Sequence, residues 1–273
     1  MRHFHAWRWP AVVLAAGVLA GAAPADWRSL DSENTLVVET SRGRIVVEMR
    51  PDLAPQAVAR VKRLAREGTY DGLLFHRVID GFVAQTGNPN NRDGGASTHP
   101  DLAPEFTARL RPEAIAQVRR ASDGVEGFLG ATPVAAEADA VAARRPDGTF
   151  RVWGAYCPGV VGMGRQAAED SANSEIFFMR DAARRLDRAY TVWGVAVVGL
   201  DVIRSLAVGE PPSAPDRMIR VRVAADLPET ERPRIEVLSP GGGAFGGLVA
   251  QARGKGGADF TVCDVTLPVR DGR

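Results

Sequence analysis

The stretch Phe75-His76-Arg77-Val78-Ile79-Asp80-Gly81-Phe82-Val83-Ala84-Gln85-Thr86-Gly87-Asn88-Pro89 decides how the chain is read. Apolar runs around Leu74 to Ile79 and Phe82 to Gln85 read as two short strands. Upstream, Leu36-Val37-Val38-Glu39-Thr40 and Arg44-Ile45-Val46-Val47-Glu48-Met49 flank the turn-rich Ser41-Arg42-Gly43, which predicts a hairpin. Pro55 to Arg66 reads as a helix. Its Ala57, Val58, Val61, Leu64 and Ala65 recur at helical spacing, Pro55 suits the first turn, and Gly68 ends it. Downstream, strands are expected near Val160 to Met163, Ile176 to Met179, Val192 to Val198 and Met218 to Val223, with a short helix around Leu200 to Ala207. Many strands and few helices favour a closed sheet, because a barrel leaves no exposed edge. Periodicity alone goes no further than a mostly-β barrel or sandwich.

The 273 residues are 45% hydrophobic and 25% charged, which is a globular composition. A formal charge of +1 argues against a dedicated nucleic-acid binder. The positive charge is almost all arginine, scattered rather than blocked. At the N-terminus Arg2 and Arg8 precede an apolar run from Ala11 to Ala22 and the small-x-small Ala23-Pro24-Ala25. That pattern predicts a signal peptide over residues 1–25 and a periplasmic or otherwise exported chain, with an uncleaved membrane anchor as the alternative. No stable membrane insertion is expected after cleavage, since the run is too short to span a bilayer. Two cysteines are too few for a disulfide scaffold and fit no zinc knuckle. In an oxidising compartment Cys157 and Cys263 can pair, but 106 positions of separation say nothing of proximity, and two buried or free thiols are the slightly favoured alternative.

The quoted stretch resembles the signature of the cyclophilin-type peptidyl-prolyl isomerases. Glu105-Phe106 resembles the family's acidic-aromatic pair, and Gly159-Val160-Val161-Gly162-Met163 its later core strand. Ser171-Ala172-Asn173-Ser174-Glu175-Ile176-Phe177-Phe178-Met179 is similar to the segment that ends in the pocket phenylalanine. Leu186-Asp187 followed by Thr191-Val192-Trp193-Gly194 matches the closing part. The resemblance covers about residues 35 to 223, with one interruption. It implies a closed eight-stranded antiparallel barrel capped by two helices, rotation of Xaa-Pro bonds as the activity, proline-containing polypeptides as partners, and no cofactor.

The same resemblance assigns roles. Arg77, Phe82 and Gln85 are the expected catalytic residues. Val83, Gly164, Arg165, Glu175, Phe177, Leu186 and Tyr190 are the expected substrate-binding residues, and no metal ligand is implied. The chemistry explains the arginine. Rotation about a prolyl bond destroys amide resonance, and the proline nitrogen then regains a lone pair that a fixed, permanently charged guanidinium can bond. Five positions depart from the family pattern. Glu175 stands where a second pocket glutamine is usual, and it could pair with Arg77 or select basic substrates; a shift by one residue would put Ile176 there instead. Gly164-Arg165 replace a small residue and an asparagine, Arg185 stands where an aromatic is common, and Tyr190 replaces a histidine. These departures motivate a second expectation, a catalytically silent module that binds proline segments or an envelope partner.

The isomerase domain is expected over residues 26–225, with an insertion at about 108–158 and an extension over 226–273 that is packed on the barrel or flexible. Within the insertion, Asp147-Gly148 suggests a hairpin and Pro112 to Arg120 a helix. In the tail, Arg234 to Leu238 and Phe260 to Val265 read as strands around a glycine-rich turn. Gly241-x-Gly243-x-x-Gly246 matches a dinucleotide fingerprint only formally, because too little chain follows for the βαβ unit it needs. His76 and His99 are the histidines beyond the leader, too few for a serine triad or histidine metal cluster. A monomer is the expected state.

Overall fold

Residues 45 to 47 show why the chain folds around one barrel. Ile45 and Val47 point into the barrel core, while Val46 joins a second apolar cluster on the outside. A strand covered on both faces has to be apolar throughout, which explains the unbroken Ile-Val-Val run. The computed structural model describes residues 26–272; the expected signal segment lies outside them. Its main sheet is antiparallel and has eight strands. In spatial order these are Met218–Val223, Thr35–Thr40, Gly43–Met49, Val192–Val198, Val160–Met163, Ile176–Met179, Val83–Thr86 and Arg77–Ile79. The sheet curls until the segments leading into its two edge strands meet. There Phe75 N–H donates to the Asp216 carbonyl at 2.9 Å and Met218 N–H to that of Leu73 at 2.8 Å. The expected hairpin, the Pro55–Arg66 helix and four of the later strands stand where the sequence puts them. The helix after the Val192–Val198 strand is shorter than expected, Leu200–Ser205.

The Pro55–Arg66 helix caps the core with Ala57, Val58, Val61, Leu64 and Ala65, and Ile203 of the Leu200–Ser205 helix reaches the same cluster. Each fully buried Val or Leu contributes about 1.5–3 kcal/mol. Gly68, at φ +71°, ends the first helix in a conformation that costs glycine little. The start of this helix has no local cap. Glu105 supplies one from a distant loop, accepting the N–H groups of Gln56 and Ala57 at 2.9 Å each. Glu105→Ala should therefore cost about 1 kcal/mol, read as a lower thermal midpoint. An unchanged midpoint would refute the capping role.

The segments outside the barrel form a second layer. Between residues 108 and 154 lies a five-stranded antiparallel sheet, ordered Ala108–Leu110, Phe150–Gly154, Thr132–Ala136, Gly124–Leu129 and Ala116–Ala121. Trp27–Ser29, Ile235–Leu238 and Val269–Asp271 make a further three-stranded sheet. Val118 and Phe128 of the insertion, Val237, Phe245 and Val262 of the tail, and Val46 and Val195 of the barrel share one buried cluster. The extension is packed. Cys157 and Cys263 are bonded, tying the end of the insertion to the tail. Among the described residues no helix is long and apolar enough to cross a membrane.

Three local expectations are corrected. Pro112 to Arg120 is a single turn at Pro112–Ala114 followed by the Ala116–Ala121 strand. Ile115 and Val118 are spaced as on a helix, but the adjacent Gly124–Leu129 strand offers a hydrogen-bond ladder, interrupted by one bulge between Gln117 and Arg119, and tertiary pairing overrides the short local pattern. Asp147-Gly148 does form a turn, with Thr149 N–H donating to Asp147 Oδ1 at 3.0 Å. It leads from a short Asp139–Ala142 helix into Phe150–Gly154 rather than joining two strands directly. Phe260 to Val265 is not a strand. Thr261 and Asp264 cap one another around the Val262–Asp264 turn that carries Cys263, so the backbone there is satisfied locally.

Candidate active site

Cross-strand register assembles the cleft. Arg77 lies opposite Gln85, Gln85 opposite Phe177, and Phe177 opposite Gly162. Directly paired residues share a face, so four adjacent strands present these positions as one row. Gly162 ends the row because a Cβ there would stand 2.5 Å from the Phe177 ring and 2.6 Å from the Tyr156 hydroxyl. The cavity over this row measures about 270 Å³ and is lined by Arg77, Phe82, Val83, Gln85, Asp93, Gly164, Arg165, Glu175, Phe177, Leu186 and Tyr190. Every site residue expected from the sequence is on that wall.

The apolar end is built on Phe177. Its ring stacks on Tyr156 with centroids 5.7 Å apart and meets Tyr190 edge-on at 5.9 Å. Val83 and Phe177 are buried, whereas Phe82, Leu186 and Tyr190 are half-buried, leaving an aromatic lip that a small ring can enter. The two arginines that depart from the family pattern lie on this lip. Arg185 sits 4.5 Å above the Phe82 ring, and Arg165 sits 4.5 Å above Tyr190 and 5.7 Å from Phe106. Arg165 is also held by the Ala189 carbonyl, which accepts from Nε at 3.2 Å and Nη2 at 3.1 Å.

The polar end is built on Arg77. Its Nη1 donates to Gln85 Oε1 at 2.9 Å, and its Nε donates to Glu210 at 2.7 Å. Two of the three guanidinium nitrogens are thus anchored, and among the described residues Nη2 has no hydrogen-bond partner. Gln85 Nε2 in turn donates to Asp93 at 3.2 Å and to Glu175. The second Glu175 oxygen accepts from Asn88 Nδ2. Burial, and then the neighbouring Asp93 charge, push the Glu175 carboxyl up to about 7. Gly164 makes room for it, since a Cβ there would fall within 2.3 Å of Glu175 Oε1.

The arrangement settles the register at Glu175, because Ile176 is wholly buried in the barrel core. It also corrects the expected Arg77–Glu175 pair. Glu175 reaches the arginine only through Gln85, and the ionic partner of Arg77 is Glu210. Sequence reasoning missed Asp93, Tyr156 and Glu210. Glu210 stands 133 positions from Arg77, and nothing local marks it. Because both partners are partly exposed, Glu210→Ala should lower kcat/KM by no more than about fivefold, or about 1 kcal/mol. A larger loss in a peptide isomerisation assay would make Glu210 part of the chemistry rather than an anchor.

The comparisons with known proteins agree with this geometry. Residues 35–223 match the family model described as cyclophilin type peptidyl-prolyl cis-trans isomerase. A probable peptidyl-prolyl cis-trans isomerase of Brucella suis is 32% identical over 231 residues, covering 79% of this chain and 92% of the relative. Peptidyl-prolyl cis-trans isomerase B of Bacillus subtilis is 27% identical over 167 residues, or 61% of this chain and 85% of that one. Among solved structures, cyclophilin AquaCyp293 from Hirschia baltica superposes with a TM-score of 0.82 at 32% identity, covering 90% of this chain and 94% of the other. A barrel whose cross-strand row sets an anchored arginine beside an aromatic pocket, matched along most of its length, makes this chain a member of the cyclophilin-type peptidyl-prolyl cis-trans isomerases.

Proposed function

We propose that this isomerase rotates Xaa-Pro bonds in proteins folding outside the cytoplasm, with Arg77 stabilising the twisted amide. The observation that carries the residue assignment is the guanidinium, fixed by Gln85 and Glu210 at the polar edge of the Phe177 pocket. The barrier to prolyl rotation is about 20 kcal/mol and needs no covalent intermediate or proton transfer. The proline ring enters against Phe177, with Phe82, Val83, Leu186 and Tyr190 around it. The twisted amide then presents its nitrogen lone pair to a free Arg77 N–H, an interaction absent from either planar form. Shortening tens of seconds to milliseconds requires about 5.4 kcal/mol, within reach of a few aimed hydrogen bonds in a partly dry cleft.

Export is supported by two independent features. One is the charged, apolar and small-residue order of residues 1–25, and the other is the Cys157–Cys263 bond, which suits an oxidising compartment. A protease-coupled assay on a short Xaa-Pro peptide tests the activity, and no acceleration over the uncatalysed rate would favour the silent binding module instead. Mass analysis of the protein from the envelope fraction tests export. A mature N-terminus at Asp26 is expected, and an intact Met1 in the cytosol would overturn it.

A further inference from the structure

Behind Gln85 lies a group of side chains that prolyl rotation does not use. His76 is 5% exposed, and among the described residues neither of its ring nitrogens, Nδ1 or Nε2, has a hydrogen-bond partner. Nε2 points at Glu175, 3.7 Å from Oε2. Asp93 closes the group from the solvent side, so that one ring nitrogen and two carboxylate oxygens all lie within 4.8 Å of one another. A buried imidazole nitrogen without a partner is costly unless something occupies it. Burial lowers its proton affinity, which leaves the ring neutral with its lone pair available. Among the described residues the two carboxylates form no ion pair with Lys or Arg: what lies between them is the neutral Gln85 amide on Glu175 Oε1, while Asn88 donates to Oε2, the oxygen that faces His76.

We propose that His76 Nε2, Asp93 and Glu175 form a binding site for a borderline divalent transition-metal ion such as Zn²⁺, and that the ion inhibits the isomerase by displacing the Gln85 amide. The donor set carries the choice of metal. One imidazole with two carboxylates suits Zn²⁺, Co²⁺ or Ni²⁺, whereas Ca²⁺ and Mg²⁺ prefer oxygen alone. Ligand bonds of about 2.0–2.1 Å bring tetrahedral ligands to roughly 3.3 Å apart, so the group must contract by up to about 1.5 Å. The exposed Asp93 is next to Gly94 at φ +77°, in a surface loop that can supply most of that movement. The coupling to catalysis follows from geometry. The metal takes the place of Gln85 Nε2 between the carboxylates, and Gln85 Oε1 then no longer holds Arg77 Nη1. The inhibitory half rests on the isomerase reading of this cleft; the binding half does not.

Calorimetric titration of the full untagged chain with ZnCl₂, in a non-chelating buffer near about pH 8, reads binding directly. One saturable site lost in His76→Asn, and weakened about tenfold or more in Asp93→Asn, is the expected result. Because His76 is buried, circular dichroism establishes that His76→Asn is folded, and the exposed Asp93→Asn variant carries the test if it is not. Co²⁺ should give visible absorption bands in the wild type that His76→Asn lacks. Zn²⁺ should abolish peptide isomerisation with the midpoint of the calorimetric titration, and chelation should restore it. Absence of a saturable site, or equal Zn²⁺ affinity in the wild type and both variants, overturns the site. Saturable binding with isomerisation unchanged overturns the displacement of Gln85. If the wild type is inactive without metal, the isomerase reading has failed, while the calorimetric comparison still decides the site.

Discussion

Arg77→Ala is expected to lower kcat/KM by about a hundredfold or more, a loss of about 2.7 kcal/mol of transition-state stabilisation. At the polar end of the cleft the Arg77 guanidinium has two of its three nitrogens tied, by Gln85 at 2.9 Å and Glu210 at 2.7 Å. This anchoring removes the rotamer entropy a free arginine would lose on meeting the substrate, so the remaining donors meet the twisted amide at little further cost. Alanine leaves the pocket and the barrel intact, and KM should change less than kcat. Arg77→Lys should recover little, because a single ammonium cannot bond Gln85, Glu210 and the proline nitrogen from one planar frame. Equal kcat/KM for wild type and Arg77→Ala in the peptide assay would remove the arginine from the chemistry.

The second large effect concerns stability. Replacing both Cys157 and Cys263 with serine should cost about 2–4 kcal/mol, with a chain-entropy ceiling of about 4.7 kcal/mol for a loop of this size. The bond spans 106 positions and fixes the Val262–Asp264 turn against the segment entering the Val160–Met163 strand. Denaturant titration should show a lower midpoint for the double variant, and the wild type should fall to the same midpoint under reducing conditions. Unreduced, denatured wild type should present no titratable thiol from these two positions. Identical midpoints with and without reductant would contradict the bond.

How much of this was legible in the sequence follows from where the information sits. The barrel strands announce themselves because they are covered on both faces. Val160–Met163, Ile176–Met179 and Val192–Val198 keep the bounds that apolar runs give them. The catalytic row was equally legible, since Arg77, Gln85 and Phe177 come from segments whose residue order is distinctive as well as apolar. Glu175 was placed in the cleft but with the wrong partner, because the choice between Arg77 and Gln85 depends on side-chain reach across two strands. Glu210 and Asp93 sit in loops, where pattern carries no register at all. The Gly243–Gly256 helix shows a different failure. Five of its fourteen residues are glycine, each costing about 1 kcal/mol relative to alanine in a helix, and only Phe245 and Val249 are buried. Its stability comes from the apolar cluster it shares with Phe128 and Val237, which no local window contains.

The three-stranded sheet has a consequence for the order in which the molecule can be completed. Trp27–Ser29 is the first described strand, yet its partner Ile235–Leu238 arrives some two hundred residues later, and that strand must itself pair with Val269–Asp271 at the other end of the chain. A ribosome delivers the barrel strands, the cleft and the whole insertion before this sheet has all its members. The growing chain therefore carries Trp27–Ser29 without its strand partner until Ile235–Leu238 has been made, and loop closure makes such distant pairing slow. The barrel itself closes through the equally distant pairing of Thr35–Thr40 with Met218–Val223, but all its strands precede Ile235, and the outer layer is fastened only once Val269–Asp271 has followed. A chain stopped short of Ile235 would keep Arg77, Gln85 and Phe177 in place while leaving the outward-facing Val46 and Val195 without their tail cover and an open strand edge beside them. The outer layer makes the presence of residues 235–271 a condition for a closed, non-adhesive surface.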